Sequence, residues 1–206
     1  RTLVRLLRDG GTPLGAIVHG NSVESVQARA KELMAKIKLQ NKDWVFAASR
    51  TSTEIFNGQI PTGPKIAVLD FGAKENIIRE LVQRSSEVAV FPARTKASAI
   101  LEYQPQGLML TNGPGDPSDV EVAPQTVQEL LGRLPVFGIC MGHQILSIAL
   151  GAQTYKLKFG HRGANHPIKD QLLGQVYMSS QNHGYAVNPK TLPEDVEVTQ
   201  VNLNDQ

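Results

Sequence analysis

The stretch Pro135-Val136-Phe137-Gly138-Ile139-Cys140-Met141-Gly142-His143-Gln144, continued by the apolar run 145–150, decides the fold. A buried-strand pattern ends at Gly138, the only cysteine of the chain sits at the corner, and a helical pattern begins just past it. This is the strand–turn–helix of a nucleophile elbow written with sulfur, Gly-x-Cys-x-Gly in place of Gly-x-Ser-x-Gly. Glycines at 138 and 142 leave room for the sharp turn, where a side chain would collide with neighbouring backbone. Cys140 is thereby lifted out of the sheet beside helix N-terminal amides, which favour a thiolate and are expected to pull the thiol pKa below its free value of about 8.5. A lone cysteine is commonly just a small buried hydrophobe. The flanking glycines and the strand–turn–helix context favour a nucleophile.

Upstream of the elbow, apolar strand patterns at 66–69, 88–91, 108–110 and 136–139 alternate with helical patterns at 74–83, 97–103 and 122–131. Short, wholly apolar strands separated by helices of about ten residues predict an α/β fold with a doubly wound, mostly parallel sheet buried on both faces. Ligands of such sheets bind beyond the carboxyl ends of the strands, where the elbow lies. Downstream, 154–159, 176–179 and 196–201 read as antiparallel strands appended to the parallel core. There is no internal repeat.

A second motif, Thr111-Asn112-Gly113-Pro114-Gly115-Asp116-Pro117, follows the 108–110 strand. Its glycines and prolines make a rigid turn that presents backbone N–H groups outward. Alone it is any tight loop. Beside an exposed cysteine it supplies what thiol attack on a carbonyl needs, N–H donors for the developing oxyanion. The amide of Met141 is one candidate donor and that of Gly115 the other.

The first 62 residues are of different texture. Residues 1–8 and 25–39 read as helices, 14–18 as a short strand, and 41–63 as irregular, with Asn57-Gly58 and the breaker Pro61-Thr62-Gly63-Pro64. A domain boundary near residue 62 follows, giving part of a small α/β N-terminal domain with linker over 1–62 and the doubly wound domain over 63–206. The chain opens inside a helical pattern with no capping residue ahead of Arg1, so the first segment reads as the tail of a domain whose beginning is absent.

Composition narrows the function classes. Net charge is +2, with nine Lys/Arg against five Asp/Glu in residues 1–60. No interleaved aromatics or nucleic-acid signature accompany this excess, which reads as a solvated or partner-facing surface rather than a nucleic-acid site. A single cysteine fits a reducing compartment, and no long apolar run or signal-peptide pattern points to a membrane, so a cytoplasmic location is expected. The sequence carries no metal-ligand cluster and no phosphate loop of the Gly-x-x-x-x-Gly-Lys type.

The elbow and the 112–117 loop together resemble those of class I glutamine amidotransferases, whose fold is flavodoxin-like. Asp70-Phe71-Gly72-Ala73-Lys74-Glu75-Asn76, Phe159-Gly160-His161-Arg162-Gly163-Ala164-Asn165-His166-Pro167 and Gln181-Asn182-His183-Gly184-Tyr185-Ala186-Val187 narrow the resemblance to the small, glutaminase subunits of carbamoyl-phosphate synthetases. It covers essentially the whole chain. The resemblance implies glutamine hydrolysis through a γ-glutamyl thioester on Cys140, with ammonia delivered to a large synthetase subunit that uses bicarbonate and ATP with Mg; no cofactor is expected in this chain. It implies Met141 and Gly115 as oxyanion donors, and Gly113, Gln144, Asn182, Gly184 and Tyr185 as further substrate contacts. Tyr185 stands where the small subunits commonly have phenylalanine, which adds a hydroxyl to accommodate.

One departure is larger. The family completes its triad with a histidine and a glutamate two residues apart, well after the Asn-His-Gly motif. None of His19, His143, His161, His166 and His183 is followed two residues later by an acid. The chain therefore reads as a fragment, shortened at both ends, of an active enzyme, and as given it is expected to have lost most glutaminase activity. Two alternatives stay open: a non-catalytic glutaminase-like binding or regulatory module, favoured by the absent pair, and the glutaminase of another synthetase, disfavoured by the 70–76 and 159–167 segments.

Overall fold

The computed structural model describes residues 2–10, 15–39 and 43–204. The chain divides into two compact units, Arg1–Lys42 and Asp43–Gln206. In the first, helix α1 spans Thr2–Gly10 and α2 spans Val23–Leu39, close to the helices read from the sequence. The Ser22 hydroxyl opens α2 by accepting the Ser25 N–H at 3.2 Å. Of the strand expected over 14–18, the described residues 15–18 form none. Residues 15–20 have no regular structure and Ile17 is fully exposed, while Leu14 and Gly11 lie outside the described residues. An apolar run without a partner strand has no ladder to join.

The second unit begins at helix α3 (Trp44–Ala48) and strand β1 (Glu54–Asn57) and continues as β2 (Lys65–Asp70), α4 (Glu75–Val82), β3 (Glu87–Pro92), α5 (Ala97–Glu102), β4 (Gly107–Leu110), α6 (Val122–Leu130), β5 (Val136–Gly138) and α7 (Met141–Ala149). The five strands order as β1-β3-β2-β4-β5. Pairings among β2, β3, β4 and β5 are parallel; only β1 runs antiparallel, along the edge of β3. Alternation sends Ala67, Leu69, Ala89, Phe91, Leu108 and Leu110 to one face, where Ile100, Val127 and Ile145 from α5, α6 and α7 cover them. Val68, Val88, Val90 and Met109 face the other way, against Ile78 of α4. Every strand of the parallel core matches its expected position to within a residue or so.

A second, antiparallel sheet follows, with β6 (Thr154–Asp170) between β7 (Val176–Val187) and β8 (Gln200–Asn202). The β6–β7 hairpin is longer than its sequence pattern indicates, because two register irregularities, between Lys156 and His161 and between Gly163 and His166, break the alternation without ending the pairing. The strand expected over 196–201 shrinks to β8, which pairs only with the end of β6 from Ile168 to Asp170.

The break between the compact units falls at 42/43. Asp43 caps α3 by accepting the Phe46 N–H, Val45 is buried in the core of the second unit, and β1 adds to its sheet. The 61–64 breaker is a turn inside this unit, closed by Gly63 N–H to Ile60 O at 2.8 Å.

Asp70, at the carboxyl end of β2, is the charged hub of this unit and is 1% exposed. Its Oδ1 accepts the N–H groups of Gly72 and Ala73, at 2.9 and 2.7 Å. Its Oδ2 accepts the Arg50 backbone N–H at 2.9 Å and the guanidinium at 3.1 Å. Arg50 reaches on to Glu54 and Glu75, both at 2.8 Å. Burial alone would raise the Asp70 pKa, but the donors from Ala73, Arg50 and Gly72 outweigh it and hold the carboxyl below its ordinary value. A depressed folded pKa contributes stability above the unfolded value of about 3.9, lost as pH falls through the folded one. Asp70→Asn is therefore expected to cost about 2–3 kcal/mol at neutral pH, a fall in Tm of roughly 4–12 °C, with the difference from wild type closing as pH falls through the depressed folded-state pKa. Equal melting temperatures at pH 7 would contradict this role.

Candidate active site

Cys140 lies between β5 and α7 with φ +54° and ψ −107°, a left-handed conformation unusual for a residue with a side chain. Such strain costs on the order of 1–3 kcal/mol and persists only where the surroundings over-determine it. Here they do. On one side Ile139 N–H donates to Leu110 O at 3.0 Å; on the other Gly142 N–H is shared between Thr111 O and Ile139 O, at 2.9 and 3.0 Å, and Gln144 N–H reaches Cys140 O at 3.1 Å. The two glycines are required by close approach: a Cβ on Gly142 would meet Leu110 O at 2.2 Å, and one on Gly138 would meet Gly142 O at 2.6 Å. The elbow is thus seated directly on the backbone of β4.

The sulfur is half-buried and free of any disulfide. Sγ lies 3.9 Å from the carbonyl of Asn182 on β7, and the backbone N–H groups of Met141 and Gly113 point at it. Burial pushes the thiol pKa up, and those two amides offset it only in part. The sequence expectation of a lowered pKa is therefore corrected. The helix N-terminus is there, but the wall contributed by β7 removes water from the sulfur, and none of the contributing groups is a cation.

Of the residues named from sequence, the structure brings Gly113, Cys140, Met141 and Asn182 together around the sulfur. Gly115, the second oxyanion donor expected from sequence, lies farther along the same loop with φ +91° and packs against the ring of Trp44. Gln144 is buried on α7 and donates from Nε2 to Tyr185 O at 2.7 Å, so its amide fastens β7 to the elbow helix. Gly184 is half-buried beside Arg162. The added hydroxyl of Tyr185 is accommodated: burial, then a hydrogen bond to Asp116 and the charges of Asp116 and Asp119, push its pKa up to about 12. Asp116, on the loop opposite β7, is a site neighbour that the sequence did not assign.

The remaining histidines separate. His143, on the first turn of α7, titrates below the usual histidine range because the surrounding protein limits hydration. His161, His166 and His183 gather in the antiparallel sheet, with His161 4.8 Å from His183 and 5.0 Å from His166 between ring centres. His183 Nδ1 donates to Tyr185 O at 2.8 Å, and the Asn202 side chain lies 3.2 Å from both His161 and His166. Among the described residues, no group of three His, Cys, Asp or Glu could hold a metal, and no helix is long and apolar enough to cross a membrane.

A half-buried cysteine on a strained elbow, with two amides on its sulfur and a polar cleft wall opposite, can add to a carbonyl carbon and hold the resulting oxyanion. Comparison with known proteins agrees with that chemistry. The chain is 46% identical over its whole length to a carbamoyl phosphate synthase small chain of Symbiobacterium thermophilum and 42% identical to that of Lactococcus lactis, spanning 57% and 56% of those proteins. A solved glutamine amidotransferase from Thermotoga maritima shares the fold, with a TM-score of 0.50 and 21% identity over 66% of each chain. The model of the family described as glutamine amidotransferase class-I matches residues 67–206, well over half of the sequence, and this chain belongs to that family.

Proposed function

We propose that this chain is the glutaminase portion of a carbamoyl-phosphate synthetase, working in the cytoplasm with a large synthetase chain as partner. The observation that carries the reading is Cys140, held at positive φ with the Met141 and Gly113 amides on its sulfur. The relatives' names supply the synthetase. Glutamine enters between the 112–117 loop and β7, and Cys140 Sγ adds to its side-chain amide carbon. The carbonyl π electrons move to oxygen, where the two amides receive the charge. The thiol proton passes to the amide nitrogen, so that collapse of the tetrahedral adduct breaks the C–N bond and expels neutral ammonia; water then cleaves the γ-glutamyl thioester to glutamate and returns the thiol. Ammonia passes to the large chain, where ATP, Mg and bicarbonate belong, for carbamoyl phosphate formation in arginine or pyrimidine biosynthesis.

A thiol with a raised pKa is no more than a few per cent thiolate at neutral pH, so turnover needs a base to take its proton; such assistance is commonly worth about 10²–10⁴-fold. The tested complex should therefore be the one that turns over glutamine, with Cys140 altered. In complex with a large synthetase chain, Cys140→Ala is expected to abolish glutamine-dependent carbamoyl phosphate synthesis while leaving ammonia-dependent synthesis unchanged. Glutamine-dependent synthesis that survives the substitution would refute the reading. For the chain alone, the rate of Cys140 alkylation by iodoacetamide is expected to rise with a midpoint above the free-cysteine value of about 8.5. A midpoint below it would mean that the amides, not burial, dominate the sulfur.

A further inference from the structure

Asn112 is half-buried, and both ends of its side-chain amide are engaged by one distant loop. Its Oδ1 accepts the Lys74 N–H at 3.0 Å and its Nδ2 donates to Gly72 O at 2.9 Å. Because one partner is a donor and the other a carbonyl, the amide has a single orientation that satisfies both. The 72–74 loop is itself fixed by Asp70 through the Gly72 and Ala73 N–H groups. On the other side of Asn112, Thr111 is buried and tied twice: its Oγ1 accepts the Phe71 N–H at 2.9 Å and its carbonyl accepts the Gly142 N–H of the elbow at 2.9 Å. Pro114 follows, with its ring against Gly72, and a Cβ on Gly113 would meet Phe71 O at 2.4 Å. Gly113 therefore has no freedom of its own; its two preceding residues are held from β2 and its successor has a fixed φ.

We propose that Asn112 is a positioning residue that braces the loop after β4 against the 72–74 loop and so aims the Gly113 N–H at the oxygen of an adduct on Cys140. Two backbone hydrogen bonds from one short side chain make a strut that neither an aliphatic residue nor a carboxylate reproduces. The role rests on the glutaminase reading, in which that N–H is an oxyanion donor. It predicts a defect confined to reactions that place the oxygen of a tetrahedral adduct against the Gly113 amide, because Asn112 makes none of the hydrogen bonds that seat Cys140 itself.

The test compares two reactions of the Cys140 thiol. An aldehyde analogue of glutamine adds the sulfur to its carbonyl carbon, the thiol proton passing to oxygen, and the tetrahedral hemithioacetal places that oxygen against the Gly113 and Met141 amides. Iodoacetamide displaces iodide with no oxyanion. Asn112→Ala is expected to weaken aldehyde binding at least about tenfold while the alkylation rate stays within about twofold of wild type, since loss of one oxyanion donor costs about 10²–10³ in other enzymes. Asn112→Asp, which keeps the acceptor for Lys74 and loses the donor for Gly72, is expected to fall between, and it decides the question in the same two assays should the alanine variant not fold. Unchanged aldehyde affinity in the folded variant, or equal loss in both reactions, would overturn the positioning role. A wild-type chain that forms no hemithioacetal at Cys140 would overturn both this role and the glutaminase reading, a result distinguishable from the others because it appears before any substitution.

Discussion

Everything at this site depends on how closely the elbow backbone approaches β4. The Gly142 amide reaches Thr111 O and Ile139 N–H reaches Leu110 O, leaving no space for a Cβ at 142 against Leu110, while a Cβ at 138 would meet the elbow's own backbone at Gly142. That contact forces Cys140 through a positive φ and points its sulfur away from the sheet. The strain is small against the hydrogen bonds that impose it, roughly 1–3 kcal/mol against several bonds of about 1 kcal/mol each. Cys140 is therefore placed by the backbone around it rather than by its own side-chain contacts.

The same strand end organises the groups that face the sulfur. The β4 loop contributes Gly113, and the turn after β2 steadies that loop through Asn112 and Phe71. Asp70 holds that turn with a buried charge, so a chain of backbone amides runs from Arg50 to the sulfur's surroundings. From the opposite side β7 is fastened to α7 by Gln144, and its Tyr185 carbonyl is shared with His183. Rigid backbone donors in a half-dry cleft are what charge development on a carbonyl oxygen requires.

The elbow and the parallel core were legible in the sequence because their signals are local. Gly138, Cys140 and Gly142 lie within five residues, and each buried strand is a continuous apolar run. Helix α3 and strand β1 were not legible. They are four or five residues long and mostly exposed, and their membership in the second unit comes from pairing with β3 and from Arg50 meeting Asp70, contacts across tens of residues. The raised thiol pKa was misread for the same reason. The helix N-terminus can be seen next to Cys140, but the wall that dries the sulfur arrives with Asn182, 42 residues later. That the Gly113 amide lies on the sulfur likewise needed the fold, since it sits in one loop with Gly115 and spacing alone does not say which amide reaches Cys140.

The most direct measurement is the rate at which iodoacetamide alkylates Cys140 in the presence of saturating glutamine, read by peptide mass mapping, with asparagine as the control that is shorter by one methylene. It needs no base and no partner, only a glutamine pocket with Cys140 at its end. Strong protection by glutamine and little by asparagine is the result the account predicts. Alkylation at the same rate with and without glutamine would place the substrate elsewhere and contradict it.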